Sequence, residues 1–97
     1  MHATNIIEFS DGFVRADAEV EGNIIKEIRL TGEMDSNPPD FLTLLQRNLK
    51  GVMLDRKSVS NAVNVFYLLG MRTSNVTKEQ LVELILGLAK SKGDGKA

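Results

Sequence analysis

Between Phe13 and Val20 apolar and polar residues alternate. Val14, Ala16, Ala18 and Val20 fall on one side, and Arg15, Asp17 and Glu19 on the other. A period of two with one polar side marks a half-buried antiparallel strand. Glu21-Gly22-Asn23 then supplies a tight turn, because Gly and Asn tolerate positive φ. Ile24 to Thr31 reads as the return strand, with Ile24, Ile28 and Leu30 on one side and Lys26 interrupting it. Upstream, Asn5 to Phe9 reads as a shorter strand closed by Ser10-Asp11-Gly12. The expectation is a three-stranded antiparallel meander.

At Gly32 the period changes. Glu33 to Pro39 reads as a loop, and Asn37 is placed to cap a helix carrying Pro38 in its first turn. Phe41, Leu42, Leu45 and Leu49 recur at helical spacing, with Lys50 and then Gly51 ending the helix. A second helix is expected from about Ser58 to Leu69, burying Val59, Ala62, Val63, Phe66 and Leu69. Gly70 stops it. The third opens with Thr77-Lys78-Glu79-Gln80, a capping box, and lines Leu81, Leu84, Ile85 and Leu88 along one side. Lys92 to Ala97 reads as a frayed Gly/Lys-rich tail. Strands followed by helices give an α+β fold, with a three-stranded antiparallel sheet and three helices packed on one side of it. Residues 1–97 form a single domain, its core at about 4–90.

Composition narrows the chemistry. The 97 residues are 42% hydrophobic and 26% charged, enough for one core. Cysteine is absent and the one histidine, His2, stands at the amino end. Disulfides, thiolate metal sites and cysteine nucleophiles are excluded, and a histidine base is disfavoured. No apolar run approaches a membrane span and no signal peptide opens the chain, so a soluble, cytoplasmic protein is expected. Net charge is −1, but residues 1–40 carry −6 and residues 41–97 carry +5. The two halves should attract, and a dipolar surface can orient a partner.

No cluster of residues reads as a reaction centre. The acid pairs Asp17/Glu19 and Glu33/Asp35 lie on a solvent-facing strand side and a loop, without the burial that splits carboxylate pKa values. Ser58, Ser60, Ser74 and Thr77 stand where helix caps and loops want hydroxyls. Gly22, Gly32, Gly51 and Gly70 are isolated and form no phosphate cradle. Phe41, Phe66 and Tyr67 read as core. Lys26 lies past the turn and not at its tip, unlike the acceptor lysine of a carrier domain. The residues alone describe a binding domain, with a self-associating interaction module as one alternative. A nucleic-acid binder using Arg47, Arg56, Lys57 and Arg72 is another, which the acidic half opposes.

Several strings, in order, resemble the accessory (C-terminal) domain of lipoate–protein ligases. They are Asp11-Gly12-Phe13-Val14-Arg15-Ala16, the hairpin Val20-Glu21-Gly22-Asn23-Ile24-Ile25-Lys26-Glu27-Ile28, Thr31-Gly32, Leu49-Lys50-Gly51-Val52 and Val76-Thr77-Lys78-Glu79-Gln80-Leu81. The family often has an aspartate and a bulky aromatic after Thr-Gly, where Glu33 and Met34 stand here. The resemblance implies a non-catalytic small subunit that binds a catalytic large subunit and is needed for ATP-dependent activation of lipoate to lipoyl-AMP. ATP, magnesium and lipoate are then expected on the large subunit, and this chain carries no catalytic, cofactor or metal residue. Lipoyl acceptor proteins are indirect partners, and neither nucleic acid nor membrane is implied. A chain that starts at Met1 without a catalytic domain looks like the separate-subunit form. The loop after the third strand, with Thr31, Gly32, Glu33, Met34 and Asp35, is expected at the partner interface beside the polar sheet face. The arrangement also resembles the SufE/NifU-like fold of sulfur-transfer and iron–sulfur scaffold proteins. Those need cysteines that this chain lacks.

Overall fold

The computed structural model describes residues 1–91. Strands β1 (His2–Phe9), β2 (Gly12–Glu21) and β3 (Ile24–Glu33) form an antiparallel sheet in the order β1-β2-β3. Then come β4 (Ser36–Asn37), α1 (Phe41–Leu49), α2 (Arg56–Leu68), β5 (Arg72–Thr73) and α3 (Lys78–Ser91). The short β4 and β5 pair with each other in a second sheet. The expected meander and three helices are present, and the expected tail from Lys92 lies outside the described residues.

Register explains the division of the sheet into two faces. Ala3, Asn5 and Ile7 stand opposite Ala18, Ala16 and Val14, and those stand opposite Ile28, Leu30 and Gly32. This row faces the helices. α3 lies along β1 and β2, and α1 along β3. Val14, Ala16, Ala18 and Val20 are all buried, as alternation predicts. The third strand departs from that rule. Glu19 pairs with Glu27 but Val20 pairs with Ile25, so Lys26 is the extra residue of a β-bulge. The bulge reverses the side-chain alternation. Ile25, not Ile24, therefore enters the core with Ile28 and Leu30, and Lys26 turns outward.

The outer edge of β3 is closed by side chain and backbone. Gly51 N donates to Ile25 O at 2.7 Å, Ile25 N to Val52 O at 2.9 Å, and Leu54 N to Asn23 O at 2.8 Å. Further along, Leu30 N donates to Gln46 Oε1 at 2.8 Å. At Asn23, Ile25 and Leu30 these contacts take up edge groups that would otherwise be open to pairing with another chain.

The helix starts differ from expectation. Asn37 lies in β4 and caps nothing; α1 follows Asp40 without a side-chain cap. α2 begins two residues before Ser58, because the Asp55 carboxylate accepts from Ser58 N at 2.7 Å and so serves as the cap. The capping box of α3 forms as read: Thr77 N donates to Gln80 Oε1 at 2.8 Å, and Gln80 N to Thr77 Oγ1 at 3.0 Å. α2 ends in a Schellman turn, with Met71 N donating to Phe66 O and Gly70 N to Tyr67 O, each at 3.0 Å. That turn leaves Leu69 outside the helix and 70% exposed, so it does not join the buried stripe.

Between sheet and helices the core is fully apolar; no polar or charged residue is buried among the described residues. Phe41 is wholly buried, with the rings of Phe66 and Tyr67 each 5.7 Å away and tilted by 59°. One polar residue lies on the inner row. Asn5 donates its side-chain amide to Leu84 O at 2.9 Å, inside α3. A Cβ on Gly87 would collide with that amide, so the glycine lets helix and strand approach.

Candidate interaction surface

The outer face of the sheet presents His2, Thr4, Ile6 and Glu8 from β1. It presents Phe13, Arg15, Asp17 and Glu19 from β2, and Glu27, Arg29, Thr31 and Glu33 from β3. The face is charged, acids outnumber bases, and the side chains around Asp17 are tied to one another. Arg15 Nε donates to Asp17 Oδ2 at 3.0 Å, and Thr4 Oγ1 donates to Asp17 Oδ1, also at 3.0 Å. The Arg15 hydrogen bond holds the Asp17 carboxyl below its ordinary 3.8, against the opposing effect of partial burial. Glu19 is likewise held low, chiefly by its hydrogen bond from the terminal amine of Met1 at 2.7 Å. Lys50 from the basic half reaches Glu27 at 3.0 Å. The acid pair Asp17/Glu19 thus lies on an open face with ionic neighbours, a setting for a solvated surface and not for proton transfer.

The expected interface residues are split between strand and loop. Thr31, Gly32 and Glu33 belong to β3, opposite Arg15, Val14 and Phe13. They are not loop, because Gly32 continues the ladder where a Cβ would strike the Phe13 carbonyl. Met34 is half-buried against the core. Asp35 is exposed, but its backbone is clamped: its N–H donates to Asn75 Oδ1 and its carbonyl accepts from Ser74 N, each at 3.0 Å. The Asn75 amide in turn donates to Ser10 O at 3.0 Å. One asparagine therefore joins the β1–β2 turn, the segment after β3 and the approach to α3. The surface at this end is preformed.

The helical layer carries the opposite charge. Along α2 there is no acid. Arg56 reaches Glu83 at 2.8 Å and Lys78 Nζ donates to Asn64 Oδ1 at 2.7 Å, across a groove of about 310 Å³ between α2 and α3. Arg47, Arg56, Lys57 and Arg72 sit on three different elements and form no single basic stripe. Tyr67 is half-buried; burial pushes its phenol above 10.0, and its hydrogen bond with Thr73 at 2.9 Å opposes the shift. At the end of α2, Val65, Leu68 and Leu69 are 38%, 77% and 70% exposed. Reading the sequence missed this patch. Helical spacing held the signal, since Val65 and Leu68 fall off the stripe Val59, Ala62, Val63 and Phe66. Among the described residues no group of three or more His, Asp or Glu side chains is placed to hold a metal ion. No described helix is long and apolar enough to cross a membrane.

Residues 1–85 match the family described as bacterial lipoate protein ligase C-terminus. The chain belongs to that family. A curated relative, lipoate-protein ligase A subunit 2 of Thermoplasma acidophilum, is 26% identical over 74 residues, covering 76% of this chain and 77% of the relative. A solved chain from the same archaeon's lipoylation system superposes with a TM-score of 0.78 at 24% identity, over 88% of this chain and 94% of that one. That work describes a bi-partite lipoate protein ligase and its E2 lipoyl domain. The shared fold includes the three-stranded sheet and three helices. The resemblance carried by the Asp11–Ala16, Val20–Ile28 and Thr77–Leu81 strings is therefore borne out at the level of family.

Proposed function

We propose that this chain is the accessory subunit of a two-part lipoate–protein ligase: it binds a catalytic ligase chain and supports the ATP-dependent conversion of lipoate to lipoyl-AMP. Its family membership over residues 1–85, a stretch that holds the whole sheet and most of the helical layer, carries the reading. The relative described as subunit 2 and the two-part archaeal ligase support it. On this reading ATP, magnesium and lipoate bind the catalytic chain, in the cytoplasm, and the lipoyl group passes from there to a lysine of an acceptor protein.

The contribution of this chain is shape. A mixed anhydride such as lipoyl-AMP must form away from water, with the surrounding loops ordered. A rigid neighbour that binds only the ordered conformation raises its population without supplying a reacting group. Such a neighbour must hold its own surface still, and the Asn75 clamp and the covered β3 edge favour that role. Thr31, Gly32, Glu33, Met34 and Asp35 contribute to the contact, with exposed Glu33 and Asp35 as the touching side chains and Met34 holding the segment to the core.

Titration calorimetry of the chain against its cognate catalytic ligase chain tests this reading. A saturable one-to-one complex is expected, and absence of any binding overturns it. Replacing Glu33 and Asp35 together with Ala is expected to weaken the complex; unchanged affinity dismisses the segment as a contact.

A further inference from the structure

The least expected feature of the surface is the end of α2. Leu68 and Leu69 expose 77% and 70% of their area, and Val65 38%. Val65 and Leu68 stand at i and i+3 on α2 and Leu69 follows at its C-cap, so the three aliphatic side chains are neighbours at one end of the helix. Lys57 is exposed on the same side about three turns earlier, and exposed Arg72 follows just past the end. No residue from Arg56 to Leu68 is acidic.

An aliphatic centre between two cations limits what can cover it. A second copy fits poorly. Parallel pairing of two α2 helices sets Lys57 against Lys57 and Arg72 against Arg72. Antiparallel pairing brings Lys57 toward the other copy's Arg72. In either case cation meets cation along helices without acids, and the nearest acid, Asp55, is already engaged with Ser58 N and Lys57 of its own chain, which disfavours the complex. A different protein surface, apolar at its centre and acidic at its rim, meets both requirements, in the usual arrangement of an apolar core with a polar rim.

We infer that Val65, Leu68 and Leu69, flanked by Lys57 and Arg72, form the docking surface for an apolar, acid-rimmed face of the catalytic ligase chain. The inference rests on the accessory-subunit reading and names the contact. The patch is the centre of the interface and the two cations steer the approach, so association slows as salt screens them.

The test binds the chain to its cognate catalytic ligase chain by surface plasmon resonance, with wild type measured first. Wild-type binding at low salt is expected. Leu68→Ser combined with Leu69→Ser is expected to weaken it at least tenfold while leaving the circular dichroism and melting curve unchanged, since neither side chain is in the core. Lys57→Gln combined with Arg72→Gln is expected to slow association at low salt and remove most of its salt dependence. If wild type does not bind at all, the accessory-subunit reading itself fails. If wild type binds and both double variants bind equally well, that reading stands and the assignment of this surface is overturned. It is also overturned if the isolated chain is a dimer by light scattering that the Leu68/Leu69 variant dissolves. Capture by vesicles of phosphatidylglycerol with no effect of the variants on ligase binding overturns it too.

Discussion

The two faces of the sheet are made from the same three strands and behave in opposite ways. Inward, small residues on β2 (Ala16, Ala18) let the helices lie close, and everything buried is apolar. Outward, the same strands carry Arg15, Asp17, Glu19 and Glu27, held in ion pairs and side-chain hydrogen bonds that exchange with water, and Arg29 beside them. Burial of apolar area supplies the inner face with a few kcal/mol per large side chain, whereas exposed ion pairs contribute little. Stability therefore resides on one side of the sheet, and the other side is free to be chosen for recognition.

That contrast breaks most visibly at Phe41. Phe41→Ala empties the centre of the layer against Phe66 and Tyr67 and is expected to cost about 3–5 kcal/mol in urea unfolding, a large share of the stability of a domain this small. Next comes the close approach of α3 to β1. Gly87→Val forces the helix off the Asn5 amide and is expected to cost roughly 1–3 kcal/mol, with Asn5→Ala restoring part of the loss when the two are combined.

On the outer face the effects shrink. Asp17 is held low by Arg15, so its folded-state pKa lies below the unfolded one. Its stabilisation is complete above the unfolded value near 3.8 and disappears as pH falls through the lower folded value. Asp17→Asn is expected to flatten the acid side of the stability–pH curve below about pH 4 and to leave the fold intact. Ile6→Ser, at a position 50% exposed, is expected to change unfolding free energy by no more than about 0.5 kcal/mol. A loss at Ile6 comparable to that at Phe41 would mean that the outer face is covered in the folded protein.

How much of this was legible in the chain follows from how local each cause is. The alternation of Val14 to Val20 and the Thr77–Gln80 capping box depend on neighbours a few residues away, and both form as read. The bulge at Lys26 was visible only as an interruption; which isoleucine it sends inward depends on the partner register with β2. Asp55 outranks Ser58 as a cap because the charged carboxylate reaches the free amide from the residue before the helix. Leu69 misled because helical spacing assigns it to the core, while the Schellman turn at Gly70 ends the helix one residue too soon. The clamp at Asn75 links residues 65 and 40 positions apart, which no local pattern announces. At the surface, the segment after Gly32 was singled out because an exposed loop beside a sheet edge suits docking, and the aliphatic patch on α2 emerged only once exposure was known.

The central claim is that this chain lends shape to another chain's active centre. Formation of lipoyl-AMP from lipoate and ATP, followed by mass spectrometry with this chain alone, the catalytic ligase chain alone, and the two mixed, tests it most directly. The account predicts no product from this chain, little from its partner, and rapid formation from the mixture. Product from this chain alone, or a catalytic chain that runs at full rate without it, would contradict the account.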